Sequence, residues 1–278
     1  MREAGRWGVR LVVLLVCLGL AGCTASAGQV ASSSPTRVAA SPAQGQRLVF
    51  DESFDGTALD RTRWSTCHWW DPDRCTIASN QELQWYLPSQ VRVQDGHLLL
   101  TADHSTEPDR AAHPFVSGMV TTGPQEQHGR PKFAFTYGRV EVELSLPTGT
   151  GLWPAVWMLP ASTSSRPEID LLETVGSAPN EWLFHLHPAD RRRASHNATL
   201  DRADLAQGRH TLALEWTPDR LRWFVDGKRV WEVRGSDVPR EPMYLVANLA
   251  VGGEYPGPPD ASTRFPATVT IDRVRVWQ

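Results

Sequence analysis

The sequence has almost no helical pattern. Apolar residues do not recur at the three- and four-residue spacing of an amphipathic helix over any useful length, which argues against bundles and α/β folds. No internal repeat is visible, so solenoids and propellers are also disfavoured. Basic residues form no run longer than the Arg-Arg-Arg at 191–193, and the formal charge is only −3. Nucleic acid is therefore not a predicted partner. Cysteine is scarce, with four residues in the whole chain. Long apolar runs are scarce too. The one that stands out, "LVVLLVCLGLAG", is too short to span a bilayer comfortably. It follows Arg2, Arg6 and Arg10, with Glu3 as the one acid among residues 1–10. Residues 1–22 read as a secretory signal peptide.

The end of that run, "LAGC", resembles a bacterial lipobox, in which Cys23 would be lipidated and become the first residue. The alternative is an ordinary signal peptide that contains a cysteine. Residues 24–46 are rich in Ser, Ala, Pro, Gly and Gln, and read as a flexible tether behind the lipidated cysteine. Residues 47–278 read as one folded unit. The expectation is an extracytoplasmic, membrane-anchored bacterial lipoprotein, monomeric, with the membrane as a partner through its lipid. Cys67 and Cys75 remain. Outside the cytoplasm such a pair closes a loop as a disulfide. The competing reading is a metal site with His68, but this spacing matches no common zinc pattern.

What is present in quantity is short alternating segments: "HLLLTAD", "RVEVELSLP", "EWLFHLHP", "HTLALEWT", "RLRWFVDGKRVWEV" and "TVTIDRVRVW". Each is bounded by Gly, Pro, Asp or Ser. "FVDGKRV" and "VQDGHLLL" carry Asp-Gly turns, a strong hairpin signal. Many short strands at this spacing predict an all-β sandwich or barrel. Twelve tryptophans are a surplus for such a domain, and predict aromatic platforms as well as core.

One strand breaks the rule of alternation. In "RPEIDLLETVG", Glu168 and Asp170 share a face of a regular strand, and Glu173 falls on the other. A β-bulge between Asp170 and Glu173 would return all three acids to one surface. That is costly in a core and useful in a cleft. A calcium-binding cluster or a solvated face is the alternative; apolar Ile169, Leu171 and Leu172 argue against the solvated face.

"GLWPAVWMLP" followed by "EIDLLETVG" resembles the family 16 glycoside hydrolases, and among them the laminarinase-like β-glucanases. "LVFDESFDGTALDRTRWS", "NQELQWY", "GMVTTG", "FAFTYGRVEVELSLP", "LEWTPDRLRWFVDGKRV" and the segment from "YLVANLAVGG" to the C-terminus extend the resemblance in order over most of residues 47–278. It implies a β-jelly-roll sandwich of the concanavalin A-like kind, with a sugar cleft on its concave face. It implies retaining endo-hydrolysis of β-1,3-glucan, with mixed β-1,3/1,4-glucan as a further substrate. Glu168 would be the nucleophile, Glu173 the acid/base, and Asp170 the group that tunes the nucleophile. The carboxyl of Glu173 must then titrate high while that of Glu168 stays low. The resemblance places Asn80, Glu82, Trp153, Trp157, His187 and Asn248 at the substrate. "HLH" puts His185 and His187 on one face of a strand; a zinc site with His196 is the alternative reading, and His187 is the better match to the family's cleft histidine. No cofactor is implied for catalysis. A structural calcium on the convex face would map near Glu52, Gly96 and Asp272, partly through backbone oxygens; the alternative is no metal. A transglycosylase with the same carboxylates, or a non-catalytic glucan-binding lectin, are the competing functions.

Overall fold

The computed structural model describes residues 45–70, 75–106 and 113–278. The signal peptide over 1–22, the lipid site at Cys23 and all but the end of the tether lie outside the described residues. Two β-sheets carry the fold. The larger runs β14 (Lys228–Arg234), β13 (Arg220–Val225), β12 (His210–Thr217), β7 (Gly138–Ser145), β16 (Ala267–Trp277), β4 (His97–His104), β5 (Phe115–Ser117) and β2 (Gln84–Tyr86). In it, β1 (Leu48–Glu52) pairs with β16 and β3 (Val91–Gln94) with β4. The smaller sheet runs β11 (His196–Asp201), β10 (Glu181–His187), β9 (Glu168–Glu173), β8 (Leu152–Pro160), β15 (Met243–Val251) and β6 (Met119–Thr121). Pairing is antiparallel throughout except between β2 and β5. This is the sandwich of the two architectures that the alternating segments predict, in the jelly-roll form that the resemblance implies.

The alternation decides which side chains meet. Along β10, Trp182, Phe184 and Leu186 are buried in the core, while Leu183, His185 and His187 are half-buried on the opposite face. Along β13, Leu221, Trp223 and Val225 point inward. β15 is buried at every position. Met243, Leu245, Ala247, Leu249 and Val251 join the main core; Tyr244 and Val246, on its other face, join a second apolar cluster with Cys75, Tyr86, Met119 and Trp157. That second cluster underlies one end of the cleft. Both Asp-Gly turns form: Asp95–Gly96 joins β3 to β4 and Asp226–Gly227 joins β13 to β14, with all four residues at positive φ. Two successive left-handed residues match the right-handed twist of the strands they connect.

The tryptophans divide between two tasks. Trp64, Trp182, Trp216 and Trp223 are among the largest fully buried side chains and serve the core. Trp69, Trp70, Trp153 and Trp157 line the cleft. Cys67 and Cys75 are joined by a disulfide with Cα atoms 5.4 Å apart, as the sequence leads one to expect, and the loop it closes carries Trp69 and Trp70. His68, the alternative metal ligand, is instead buried and stacked on Trp70 at 4.1 Å. Burial drives its pKa down to about 3, so it is neutral.

Candidate active site

The irregular strand is β9, and its irregularity is a bulge. Asp170 lies opposite Trp157 on β8, and Leu172 lies opposite Val156, so Leu171 is the extra residue. On the other side, His187 lies opposite Glu168, His185 opposite Asp170, and Leu183 opposite Glu173, with a matching shift of register. Leu171, Leu172 and Ile169 are buried in the core. Glu168, Asp170 and Glu173 all line one cleft of about 620 Å³. The acids therefore share a face, as a single extra residue requires.

The same cleft is lined by every predicted substrate residue: Asn80, Glu82, Trp153, Trp157, His187 and Asn248. They form a connected polar floor. Trp157 Nε1 donates to Asn248 Oδ1 at 2.7 Å, and Asn248 Nδ2 donates to Tyr86 Oη at 3.0 Å. This explains an asparagine on a buried strand, where it is otherwise unfavourable: it orients Trp157. Glu82 accepts from Asn80 Nδ2 (3.1 Å), Gln84 Nε2 (2.6 Å) and the Ile77 amide (3.3 Å). Burial outweighs these donors and pushes its pKa up to about 7. Trp153 does more than offer a ring face. Its Nε1 donates to Glu173 Oε1 at 3.2 Å, and its ring lies 5.4 Å from that of exposed Tyr255.

Both histidines of "HLH" reach the acids. His185 Nδ1 lies 2.7 Å from Glu173 Oε2 and 3.7 Å from Asp170 Oδ2. His187 Nε2 lies 3.3 Å from Asp170 Oδ2 and 3.6 Å from Glu168 Oε1, while its Nδ1 meets Ser195 Oγ at 2.6 Å. His196 does not join them; it meets Asp237 at 2.8 Å. His185 is thus a site residue that the sequence reading leaves unassigned. Its signal was already present, since residues two apart on a strand share a face.

The electrostatics depart from expectation at Glu168. Burial first, and then the charge of Asp170, push its pKa up to about 8, opposed by His187. This direction is opposite to that expected of a low-titrating nucleophile. Asp170 is raised well above an ordinary aspartate, first by burial and then by Glu173. His185 is raised: burial opposes its charge, but contact with Glu173 and the charges of Glu173 and Asp170 outweigh that penalty.

The residues suggested for calcium lie far in character from this site. Glu52 is occupied by Arg63 (2.9 Å) and Trp64 Nε1 (3.3 Å). Gly96 sits in the β3–β4 turn at positive φ. Asp272 is buried between His97 and Arg209, 2.5 Å from each, yet neither of its oxygens has an aligned hydrogen bond. Both carboxylates are thus engaged by cationic side chains, and a calcium here would draw on main-chain oxygens.

A curved two-sheet sandwich, with paired glutamates and aromatic walls in one open cleft, defines a carbohydrate-active site. Residues 79–275 match the family model "Glycosyl hydrolases family 16", and the chain belongs to that family. It is 32% identical over 268 residues to "Glucan endo-1,3-beta-glucosidase A1" of Niallia circulans, an alignment covering 84% of this chain and 38% of that protein. It is 31% identical to "Beta-glucanase" of Rhodothermus marinus, covering 83% of this chain and 85% of the relative. The catalytic domain of an endo-1,3-beta-glucanase (laminarinase) from Thermotoga petrophila superposes with a TM-score of 0.72 at 26% identity, covering 84% of this chain and 98% of that domain. The chain spans well under half the length of the first of these relatives, and about half that of "Endo-1,3-1,4-beta-glycanase EglC" of Rhizobium meliloti.

Proposed function

We propose that this chain is a retaining endo-β-glucanase acting on β-1,3-glucan, with mixed β-1,3/1,4-glucan as a further substrate. The observation that carries this reading is the bulge at Leu171, which sets Glu168 and Glu173 on one cleft wall. Retaining hydrolysis uses two carboxyls about 5–5.5 Å apart, one as nucleophile and one as acid/base. Glu168 attacks the anomeric carbon and forms a glycosyl-enzyme. Glu173 protonates the leaving oxygen, then takes a proton from the incoming water. Trp153 and His185 hold the Glu173 carboxyl by its two oxygens. Asp170 and His187 stand beside Glu168, and their charges act on its carboxyl in opposite directions. The aromatic walls, Trp69, Trp70, Trp153 and Trp157, offer apolar faces to pyranose rings. The test is incubation with laminarin, mixed-linkage glucan, agarose and xyloglucan, with product sizing. Shortened laminarin chains that later yield oligosaccharides are the expected outcome; an untouched laminarin refutes the reading. Products longer than the substrate would identify transfer to sugar in place of hydrolysis.

The pH dependence follows from the sign of the shift at Glu168. A nucleophile acts ionised, and this group is held up to about 8. Activity is therefore lost as pH falls through that value. We expect kcat/KM, which reports the free protein, to rise with pH up to about 8. An acid limb near ~4.3, the ordinary glutamate value, would show that burial does not hold Glu168 up in this way.

Secretion and lipid anchoring through Cys23 belong to the same proposal, supported by the arginine-flanked apolar run and "LAGC". Cys23→Ser should move active protein from the membrane fraction to the medium; unchanged membrane retention would refute it. A structural calcium near Glu52, Gly96 and Asp272, held partly through main-chain oxygens, is proposed from the family resemblance. A chelator should then lower the melting temperature and calcium should restore it; equal melting with and without calcium would dismiss the ion.

A further inference from the structure

Among the described residues, Asp170, His185 and His187 form a group whose ligating atoms all lie within 4.8 Å of one another. Two imidazoles and one carboxylate are a donor set that zinc accepts. Asp170 is only 2% exposed. Its Oδ2 faces both rings, at 3.3 Å from His187 Nε2 and 3.7 Å from His185 Nδ1, yet makes no aligned hydrogen bond. The His185 Nδ1 atom is equally buried and equally unaligned, despite lying 2.7 Å from Glu173 Oε2. Buried polar atoms are ordinarily satisfied, and here two of them converge on one point. The third ligand is already oriented. His187 Nδ1 meets Ser195 Oγ at 2.6 Å, which fixes the ring with Nε2 facing Asp170. That is the anchoring by the second ring nitrogen that metal-bound histidines usually show. An edge of a tetrahedron with metal–ligand bonds of about 2.0–2.1 Å is about 3.3–3.4 Å, so the His187–Asp170 edge is already of the right length. His185 needs a small rotation.

We propose that Asp170, His185 and His187 form a zinc-binding site whose occupation silences the enzyme. Zinc on His185 Nδ1 displaces that nitrogen from Glu173 and places a positive ion beside both glutamates. The Glu173 carboxyl loses its His185 neighbour, and Glu168, whose Oε1 lies 3.6 Å from His187 Nε2, is drawn to the ion instead of the sugar. The site opens onto the cleft, so the ion reaches it from solvent. The silencing rests on the catalytic reading above; the binding does not.

The test is calorimetric titration of zinc into the full chain after chelator treatment. One zinc per chain is expected. His185→Gln and His187→Gln should each abolish measurable binding, and Ser195→Ala should weaken it by about 10–100-fold, as loss of an outer partner does. His128→Ala, at an exposed histidine outside the cleft, should keep full affinity. Cobalt added to the unaltered chain should give the intense visible bands of a four-coordinate nitrogen and oxygen site. No zinc binding, full affinity in either cleft-histidine variant, or only the weak spectrum of aqueous cobalt would overturn the site. In parallel, zinc should stop glucan hydrolysis and a chelator should restore it. One zinc bound with hydrolysis unchanged would overturn the silencing. A chain that cleaves no glucan would refute the proposed function and leave the calorimetry to decide the site.

Discussion

Glu168→Ser and Glu173→Ala should both lose most hydrolysis of natural glucan, but for different reasons that an aryl glycoside exposes. Loss of a general acid/base alone removes about 10²–10⁴ in rate. With a phenolate leaving group no proton is needed for departure. Glu173→Ala should therefore still form the glycosyl-enzyme, because Glu168 remains, and then stall for want of a base to activate water. Azide needs no base. It should restore turnover and yield the β-azide, with configuration retained. Glu168→Ser should trap no covalent intermediate, since the attacking carboxylate is gone. Mass analysis of the quenched protein distinguishes the two, and the anomeric configuration of the azide fixes the face of attack. An α-azide from Glu173→Ala would exchange the roles of the two glutamates. Near-normal activity in both variants would remove β9 from the chemistry. The contacts at Glu173 sharpen the expectation: Trp153 Nε1 donates to one of its oxygens, so Glu173→Ala also strands that donor, and some added loss should persist under azide.

The second large effect is expected far from the cleft. Trp223 lies on β13, in the opposite sheet, and is 1% exposed. Its ring packs on Trp231 at 4.3 Å, and its Nε1 reaches across the core to donate to the Asp170 carbonyl at 2.9 Å. Asp170 stands where the bulge interrupts the ladder, so this bond helps fix the strand that carries the acids. Trp223→Ala should cost about 3–5 kcal/mol, the usual range for a large aromatic lost from a core. Trp223→Phe keeps most of the packing and removes the donor; leaving a buried carbonyl unpaired costs about 1–3 kcal/mol. Urea midpoints measure both. The Phe variant should also lose kcat while KM stays near normal, because the carboxyls shift but the aromatic walls do not. A Phe variant with unchanged stability and kcat would show that the bulge is held by its own strand neighbours.

The sandwich and the acid face were legible in the chain because both rest on local rules. Alternation has a period of two, so a break in it is visible at once, and the interval from Asp170 to Glu173 called for one extra residue, which is Leu171. The Asp-Gly pairs fixed two hairpins because few residues other than glycine accept the left-handed turn easily. Residue identities within "NQELQWY" and "VANLAVGG" carried Asn80, Glu82 and Asn248 to the cleft by resemblance. None of these needed knowledge of which strands lie side by side. Tertiary structure alone decided the rest. It paired Asn248 with Trp157 and Tyr86, and Trp223 with the Asp170 carbonyl, across gaps that no short-range pattern spans. Strand register set His185 opposite Asp170 and within reach of Glu173. Burial also reversed the expected electrostatics of Glu168, because a pKa answers to the solvent and charge that the whole fold leaves around a group, and a strand's sequence does not specify them.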